Sequence, residues 1–213
     1  MNNKLLLPLA LLCSPVFAGP YVGLEVGAAS INHDFSTHFV ADAKTVTPSN
    51  SSTTFGGFVG YRSNNIGIEL GYKQFELEDS TSQHLPLVNN NSYTHEREWE
   101  ADINVKQFIV KPVYFYALTE KVQLKAGAGI TYTQYDYSSS SQDEYENVLN
   151  DDLEFNKPRL GGESKNNSEF GVIASIGIDY NVYRNINIGA AMEYYVDSTA
   201  NGGNVTVNTT YFF

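Results

Sequence analysis

Apolar and polar residues alternate one for one along several stretches of this chain. In residues 122–133, valine, leucine, alanine, isoleucine and tyrosine occupy the even positions, and glutamine, lysine, glycine and threonine occupy the odd ones. A period of two is typical of a β-strand with one apolar face, not of a helix. The same pattern predicts strands over residues 21–28, 66–73, 122–133, 170–180 and 186–196.

Three further stretches alternate less regularly and bring the predicted strands to eight. They are residues 55–62, 103–117 and 205–213. In the second stretch, Phe108, Val110, Tyr114 and Tyr116 share the apolar face, although Pro112 lies among them.

The segments between these strands are alternately short and long. The short ones are residues 62–65, 118–121 and 181–185, and the long ones are 34–53, 78–100 and 136–167, with a shorter one at 197–203. An even number of strands joined in this rhythm is typical of an up-and-down barrel with tight turns at one end and loops at the other. The sequence therefore predicts an all-β fold, an eight-stranded antiparallel barrel.

The direction of the apolar face decides between a soluble lipocalin-like barrel and a transmembrane one. Glycine is frequent on the polar face, which suits the crowded interior of a narrow barrel. Aromatic residues end many strands of the apolar face, as girdles at a lipid interface do. Both features predict a transmembrane β-barrel with short periplasmic turns and long external loops. The aromatic residues are Tyr21, Tyr61, Tyr72, Tyr114, Tyr116, Tyr132, Tyr180, Tyr194 and Tyr211.

Composition and charge exclude several other classes of protein. The chain has 213 residues, and 42% of them are hydrophobic, which is too apolar for wholesale disorder. With 13 Lys and Arg against 24 Asp and Glu, the net charge is -11. Such a chain has no basic stripe to neutralise phosphates, so a nucleic-acid partner is not expected.

The first eighteen residues have the features of a secretory signal peptide. A short positive start that contains Lys4 precedes an apolar run too short to span a bilayer, and small residues lead to Ala18. Cys13 raises the alternative of a lipoprotein, but Leu12 stands where a small residue is required. We therefore predict a cleaved signal peptide over residues 1–18 and an outer-membrane β-barrel over residues 19–213.

The signal peptide, together with three short segments, resembles the family of small eight-stranded outer-membrane barrels of the OmpA and OmpX type. The segments are Tyr21-Val22-Gly23, residues 126–130 and the closing residues 211–213. The resemblance covers the predicted mature chain and implies the outer membrane of a Gram-negative bacterium. It also implies that the barrel-assembly machinery recognises the last strand, which ends at Phe213. Small barrels of this kind are linked to adhesion, invasion, colonisation or serum resistance.

Four charged residues fall on the inward face at similar depth: Glu25, Glu69, Lys111 and Lys125. Two acids and two bases in a narrow lumen are expected to pair, because an isolated buried charge is costly. An ion path is the alternative, but eight strands leave little free interior, and we favour a salt-bridged plug. Lys73 and Glu193 lie further along the lumen and extend this predicted network.

The third long connector is strongly acidic and has aromatic neighbours. Carboxylates can capture divalent cations, but the spacing of an EF-hand is absent, so we predict no metal and no cofactor. A solvated, mutually repelling loop is the simplest interpretation, and its aromatic residues make it a candidate binding surface. The predicted binding residues are Tyr137, Asp143, Glu144, Tyr145, Glu146, Asp151, Asp152 and Phe155.

Histidine and serine at the outer rim raise the alternative of an enzyme that modifies lipid A. His33, Ser36 and His38 lie close together in the sequence. Resemblance to the deacylase type would require the order His-x-Ser, whereas here Ser36 precedes His38. His95-Glu96 lacks the second histidine of a zinc motif. We therefore predict that the protein is not an enzyme.

The sequence favours a surface factor for adhesion, colonisation or host interaction. Its expected partners are the outer-membrane lipid and lipopolysaccharide, together with a host protein or a neutral glycan, since the negative charge disfavours polyanions. A lipid A modifying enzyme, and a small pore or purely structural barrel, are the alternatives.

Overall fold

The computed structural model describes residues 19–89 and 92–213, and strands dominate this part of the chain. The predicted signal peptide lies outside the described residues. None of the described residues belongs to a helix that is long and apolar enough to cross a bilayer. The strands are β1 (Gly19–His33), β2 (Thr37–Phe39), β3 (Lys44–Val46), β4 (Ser51–Ser63), β5 (Ile66–Val88), β6 (Tyr93–Ala117), β7 (Val122–Asn147), β8 (Asn150–Pro158), β9 (Ser164–Tyr183), β10 (Ile186–Val196) and β11 (Ala200–Phe212).

Eight of these strands form a closed antiparallel ring in the order β1-β4-β5-β6-β7-β9-β10-β11. The ring closes because β11 pairs with β1, with Tyr21 opposite Phe212 and Gly27 opposite Thr206. The predicted eight-stranded barrel is therefore confirmed. The remaining strands lie outside the ring: β2 and β3 form a small hairpin, and β8 pairs with β7.

Tight turns join the strands at one end of the barrel, which we call the short-turn end. Asn64 and Arg184 adopt positive φ angles of 56° and 40° in two of these turns, a conformation that suits a reversal of the chain within a few residues. The opposite end, which we call the long-loop end, carries the longer connections.

The apolar face of the strands points away from the barrel axis, as predicted. Leu24, Ile130 and Phe170 are 63%, 56% and 75% exposed in the isolated chain. Pairs of aromatic rings border this belt, with centroids 5.1 Å apart for Tyr72 and Phe108. The other predicted strand-end tyrosines also face outward, except Tyr21.

Tyr21 lies inside the barrel, so its prediction as a girdle residue is wrong. It is 2% exposed, and its ring centroid lies 5.0 Å from that of Phe212 and 6.1 Å from that of Phe115. The reason is its phase, because Tyr21 shares the inward face of β1 with Gly23 and Glu25. A tyrosine at a strand end joins a girdle only when it lies on the lipid-facing side.

Most of the predicted long loops are in fact strands. Residues 78–88 and 93–100 form the upper strands of the β5–β6 hairpin, in which Glu78 pairs with Asp102 and Leu85 with His95. Residues 136–167 contain the end of β7, all of β8 and the start of β9. Their polar composition is compatible with strands because this part of the sheet has water on its outer side.

The two faces of the sheet exchange their character towards the long-loop end. Beyond Lys73 on β5 and Gln107 on β6, the inward side chains become mostly apolar and the outward ones polar or acidic. Phe75, Leu77 and Val105 point inward and are almost fully buried. This upper part has a core like that of a water-soluble barrel. The buried cluster consists of Ala29, Ile31, Phe39, Val46, Phe75, Leu77, Trp99, Ala101, Ile103, Val105, Ile109, Tyr135, Tyr137, Ile173, Tyr195 and Ala200.

Candidate functional site

The lower lumen holds a network of ion pairs centred on Glu69. Lys125 Nζ lies 2.5 Å from Glu69 Oε1, and Lys111 Nζ lies 3.5 Å from Glu69 Oε2. The hydroxyl of Tyr21 donates to Glu69 Oε1 over 3.1 Å. Lys125 also lies over the ring of Phe58, 4.4 Å from its centroid. Glu69 is thus neutralised and hydrogen-bonded although its side chain is buried, as a charge in a narrow lumen requires.

A second acid connects the remaining charges of the lumen. Lys73 Nζ lies 3.1 Å from Glu25 and also pairs with Glu193. Glu193 in turn accepts from Lys111 over 2.6 Å. The structure therefore brings the four predicted lumen residues into one network, in which Lys73 and Glu193 join Glu25 to the rest.

Little open space remains between these side chains. The cavity beside Glu25, Lys111 and Glu193 has a volume of about 10 Å³, which is close to the space that a single water molecule needs. A hydrated ion does not fit through this layer of the lumen in the conformation described.

The long-loop end of the barrel is covered by the segment between β1 and β4, residues 34–50. Thr37, Phe39 and Val46 of this segment are each 3% exposed. Thr37 Oγ1 lies 2.6 Å from the hydroxyl oxygen of Tyr137 and 2.9 Å from Ser139 Oγ. Tyr137, predicted as a binding residue, is therefore buried beneath this segment and is not available at the surface.

Two arginines tie the covering segment to the neighbouring sheet. Arg97 donates to Asp42 Oδ1 over 2.7 Å and to Asp143 Oδ1 over 2.7 Å. Arg159 lies 3.2 Å from Asp42 Oδ1 and 3.7 Å from Asp143 Oδ1. Asp143, another predicted binding residue, is buried and held in this cluster. We call Asp42, Arg97, Asp143 and Arg159 the latch.

Three of the four latch residues are not identifiable from the sequence. The four members of the latch come from four segments of the chain, and Asp42 and Arg159 are 117 positions apart. No local spacing in the sequence connects them. The one available signal was the exchange of the two faces around Phe108, which places residue 97 on the inward side of β6.

Four of the remaining predicted binding residues divide between the two faces of the β7–β8 hairpin. Tyr145 and Phe155 lie on the face that continues the inward side, and their rings stack with centroids 4.8 Å apart. His95 stacks on the other side of Tyr145 at 4.5 Å. Glu144 and Glu146 alternate with these residues and lie on the outer face. Asp151 and Asp152 lie in β8.

The outer face of this hairpin and of the upper β5–β6 strands is crowded with carboxylates. Cross-strand neighbours of like charge are Glu78 and Asp102, Glu96 and Glu144, and Glu146 and Glu154. Such pairs destabilise a sheet unless they are screened or protonated. Partial desolvation raises the pKa of Glu144 above its usual range, and the nearby carboxylate of Glu154 raises it further.

The histidines and serine at the rim do not form a nucleophile and base pair in this structure. His38 Nδ1 lies 2.9 Å from Thr45 Oγ1. His33 Nε2 lies 3.4 Å from the carbonyl oxygen of Ser49. Within residues 19–89 and 92–213, no hydrogen bond joins either ring to Ser36.

A closed antiparallel barrel with an outward apolar belt, aromatic borders and a charged lumen defines an integral outer-membrane β-barrel protein. The chain belongs to the outer membrane protein beta-barrel domain family, whose sequence model matches residues 5–213. No curated protein sequence matches it. Its place is therefore the outer membrane of a Gram-negative bacterium, with the long-loop end at the cell surface.

Solved structures of small outer-membrane barrels have the same fold at low sequence identity. Neisserial surface protein A is 13% identical with a TM-score of 0.53, over 92% of this chain and 98% of that one. The outer membrane protein OprG from Pseudomonas aeruginosa is 14% identical with a TM-score of 0.51, over 93% and 98%. Ail, the attachment invasion locus protein of Yersinia pestis, solved with the heparin analogue sucrose octasulfate, is 15% identical with a TM-score of 0.50, over 92% and 99%.

Proposed function

We propose that this protein is a surface recognition factor that serves adhesion or colonisation, and that its external sheet binds a host protein or a neutral glycan. The observation that carries the proposal is the ordered sheet beyond the lipid-facing belt. At about 3.3 Å per residue and a tilt of about 40°, residues 93–106 of β6 rise about 35 Å above the belt. The tip of this sheet is therefore well placed to meet another cell.

The strand β8 supplies the contact surface at this tip. Within the described part of the chain it pairs only with β7, so its other edge is available to a partner. Leu153 and Phe155 on this strand are about half exposed. Aromatic and aliphatic anchors of this kind dominate the energy of protein interfaces.

The negative charge of the outer face argues against a polyanion as the ligand. Ail was solved with a heparin analogue, but the outer face here carries Glu96, Glu98 and Glu144 beside one another. Like charge would repel a sulfated polymer, which favours a protein or an uncharged glycan. Lipopolysaccharide surrounds the apolar belt as the lipid partner, and recognition of Phe213 by the assembly machinery stays a prediction.

We propose no enzymatic role. The contacts of His33 and His38 are with Ser49 and Thr45, which leaves Ser36 without a hydrogen-bonded base in this arrangement. If the lipid A of cells that make the protein differs in mass from that of cells that lack it, and the difference disappears in Ser36→Ala, this part of the proposal is wrong.

Adherence to host cells tests the proposed function. Asp143 and Lys157 are cross-strand partners, so a two-residue Asn-Gly turn can replace residues 144–156 without disturbing the sheet below. We expect bacteria with this shortened protein, or with Leu153→Ser and Phe155→Ser together, to adhere no better than bacteria without the protein. The matched control is Leu118→Ser, an exposed leucine at the short-turn end. Equal adherence of all strains at equal surface amounts would contradict the proposal.

A further inference from the structure

Two turns lie side by side at the end of the external sheet that is farthest from the lipid-facing belt. One joins β5 to β6, where Val88 pairs with Tyr93, and the other joins β7 to β8, where Asn147 pairs with the same Tyr93. The N–H of Val148 donates to the carbonyl oxygen of Ser92 over 3.0 Å, which ties the second turn to the first. We call the described residues of both, 85–89, 92–93 and 147–150, the paired turns.

The paired turns differ in polarity from the acidic sheet that carries them. They contain no charged residue, whereas the exposed carboxylates of Glu146 and Asp152 flank the second turn. Leu87, Val148 and Leu149 are 47%, 50% and 94% exposed. Aliphatic side chains exposed singly are ordinary on a protein surface, but several on two adjoining turns mark a place of contact with a partner.

The backbone of the paired turns is already satisfied from within. The N–H of Leu149 donates to Asn147 Oδ1 over 3.0 Å, and the N–H of Ser92 donates to the carbonyl oxygen of Asn89 over 3.2 Å. The N–H of Val148 is used between the two turns, as described above. A backbone group that enters the apolar part of a bilayer needs such an internal partner, because water is absent there. A projecting end with aliphatic side chains and bonded amides therefore suits a lipid surface.

We propose that the paired turns insert their aliphatic side chains into the surface of a facing bilayer made of zwitterionic lipid, such as phosphatidylcholine. Charge limits the lipid class, because the exposed carboxylates of Glu146, Asp152 and Glu154 beside the turns are repelled by anionic lipid. The ligand is the lipid itself, and the contact residues differ from Leu153 and Phe155, so this inference does not depend on the proposed function.

Vesicle capture tests this inference with many copies on one surface, since a single tip buries little apolar area. Proteoliposomes that carry the protein should capture dye-labelled vesicles of pure phosphatidylcholine, and capture should decrease when phosphatidylglycerol is added to the vesicles. Val148→Ser with Leu149→Ser should lower capture at least five-fold. The matched control is Leu160→Ser, because Leu160 is almost fully exposed but the residue before it bonds to Ser141, about 20 Å back along β7.

Tryptophan fluorescence distinguishes insertion from contact at the lipid surface. Bromine in the acyl chains quenches only an indole that reaches the apolar part of the bilayer. Leu149→Trp should therefore be quenched several-fold more by phosphatidylcholine vesicles with brominated acyl chains than by unbrominated ones. The unchanged protein gives the background, because its single tryptophan, Trp99, is buried. Leu160→Trp should show no such difference.

The proposal is overturned if the protein captures no more vesicles than protein-free liposomes do, or if the double serine variant captures as many as the unchanged protein. It is also overturned if Leu149→Trp escapes quenching while capture occurs. Adherence to host cells that requires Val148 and Leu149 without vesicle capture would make a protein or a glycan the occupant instead. Vesicle capture without adherence to host cells would contradict the proposed function alone. Heat-modifiable migration in gels verifies that each barrel is folded.

Discussion

At the scale of single residues, the lumen depends on charges that neutralise one another. Glu193 receives two lysines, Lys73 and Lys111, and its side chain is almost completely buried. Each lysine also has a second acid, at 3.1 Å for Glu25 and 3.5 Å for Glu69. Loss of Glu193 therefore leaves each of the two lysines with only its second acid as a partner.

Glu193→Gln should lower the free energy of unfolding by about 3 kcal/mol, because both lysines stay charged in a place that water does not reach. Urea unfolding of the protein in lipid vesicles measures this change. Glu163→Gln is the matched control, since the Glu163–Lys165 ion pair is exposed and its loss should leave stability unchanged. A similar effect of both substitutions would mean that the lumen charges are solvated.

Close packing against glycine is the second constraint at this scale. A Cβ atom at Gly23 would lie 2.2 Å from Cζ of the Phe58 ring, whereas at Gly71 the nearest atom would be 3.5 Å away. Gly23→Ala should therefore cost about 2 kcal/mol through overpacking. Gly71→Ala should cost much less in the same unfolding experiment, and equal costs would refute this account of the packing.

At the scale of elements, the strands are longer than their lipid-facing parts. The alternation in residues 103–117 correctly placed Phe108, Val110, Tyr114 and Tyr116 outward. It did not extend the strand to Tyr93, because Ile103 and Val105 stand on the opposite face from Phe108. Amphipathic periodicity identifies a strand only while its surroundings stay the same, and the surroundings change where the sheet leaves the lipid.

Tertiary contacts explain the predictions of site residues that were incomplete or wrong. The inward charges followed from the phase of the strands, so Glu25, Glu69, Lys111 and Lys125 could be identified as lumen residues from the sequence. The burial of Tyr137 could not, because it depends on Thr37, which is 100 positions away.

The β7–β8 hairpin should become more stable in mild acid. Desolvation and neighbouring carboxylates raise the pKa of Glu144 above that of a free glutamate, so ionisation costs stability in the folded hairpin. Its stability increases as the pH falls through this raised value, and stops increasing below the ordinary glutamate value of about 4.3.

Hydrogen exchange of backbone amides in β7 and β8, corrected for the intrinsic effect of pH, measures this stability. We expect slower exchange near the raised pKa than at neutral pH, and no such difference in Glu144→Gln. Glu120→Gln at the short-turn end is the control. Faster exchange in mild acid would contradict the raised pKa of Glu144.

At the scale of the whole molecule, the barrel is obstructed at two levels. The ion-pair network occupies the lower lumen and leaves a cavity of about 10 Å³. The apolar core and the segment of residues 34–50 fill the upper end. These two obstructions lie in series along the barrel axis.

The protein should therefore show no steady ion conductance in planar bilayers. Lys111→Met and Lys125→Met should produce transient openings, because each removes a cation that holds Glu69 in the lumen. A steady conductance of the unchanged protein would contradict the obstruction and favour a pore.

The exchange of the two faces also determines how deep the barrel sits in the membrane. Phe108 is the last lipid-facing apolar residue of β6, and Lys106 is the first outward-facing charge beyond it. A shift of the barrel outward by one pair of residues would bring aromatic rings into water, and a shift inward would bring lysine and acidic side chains into hydrocarbon. Displacement in either direction is therefore opposed on β6, so the protein's own strand contributes to its immersion depth.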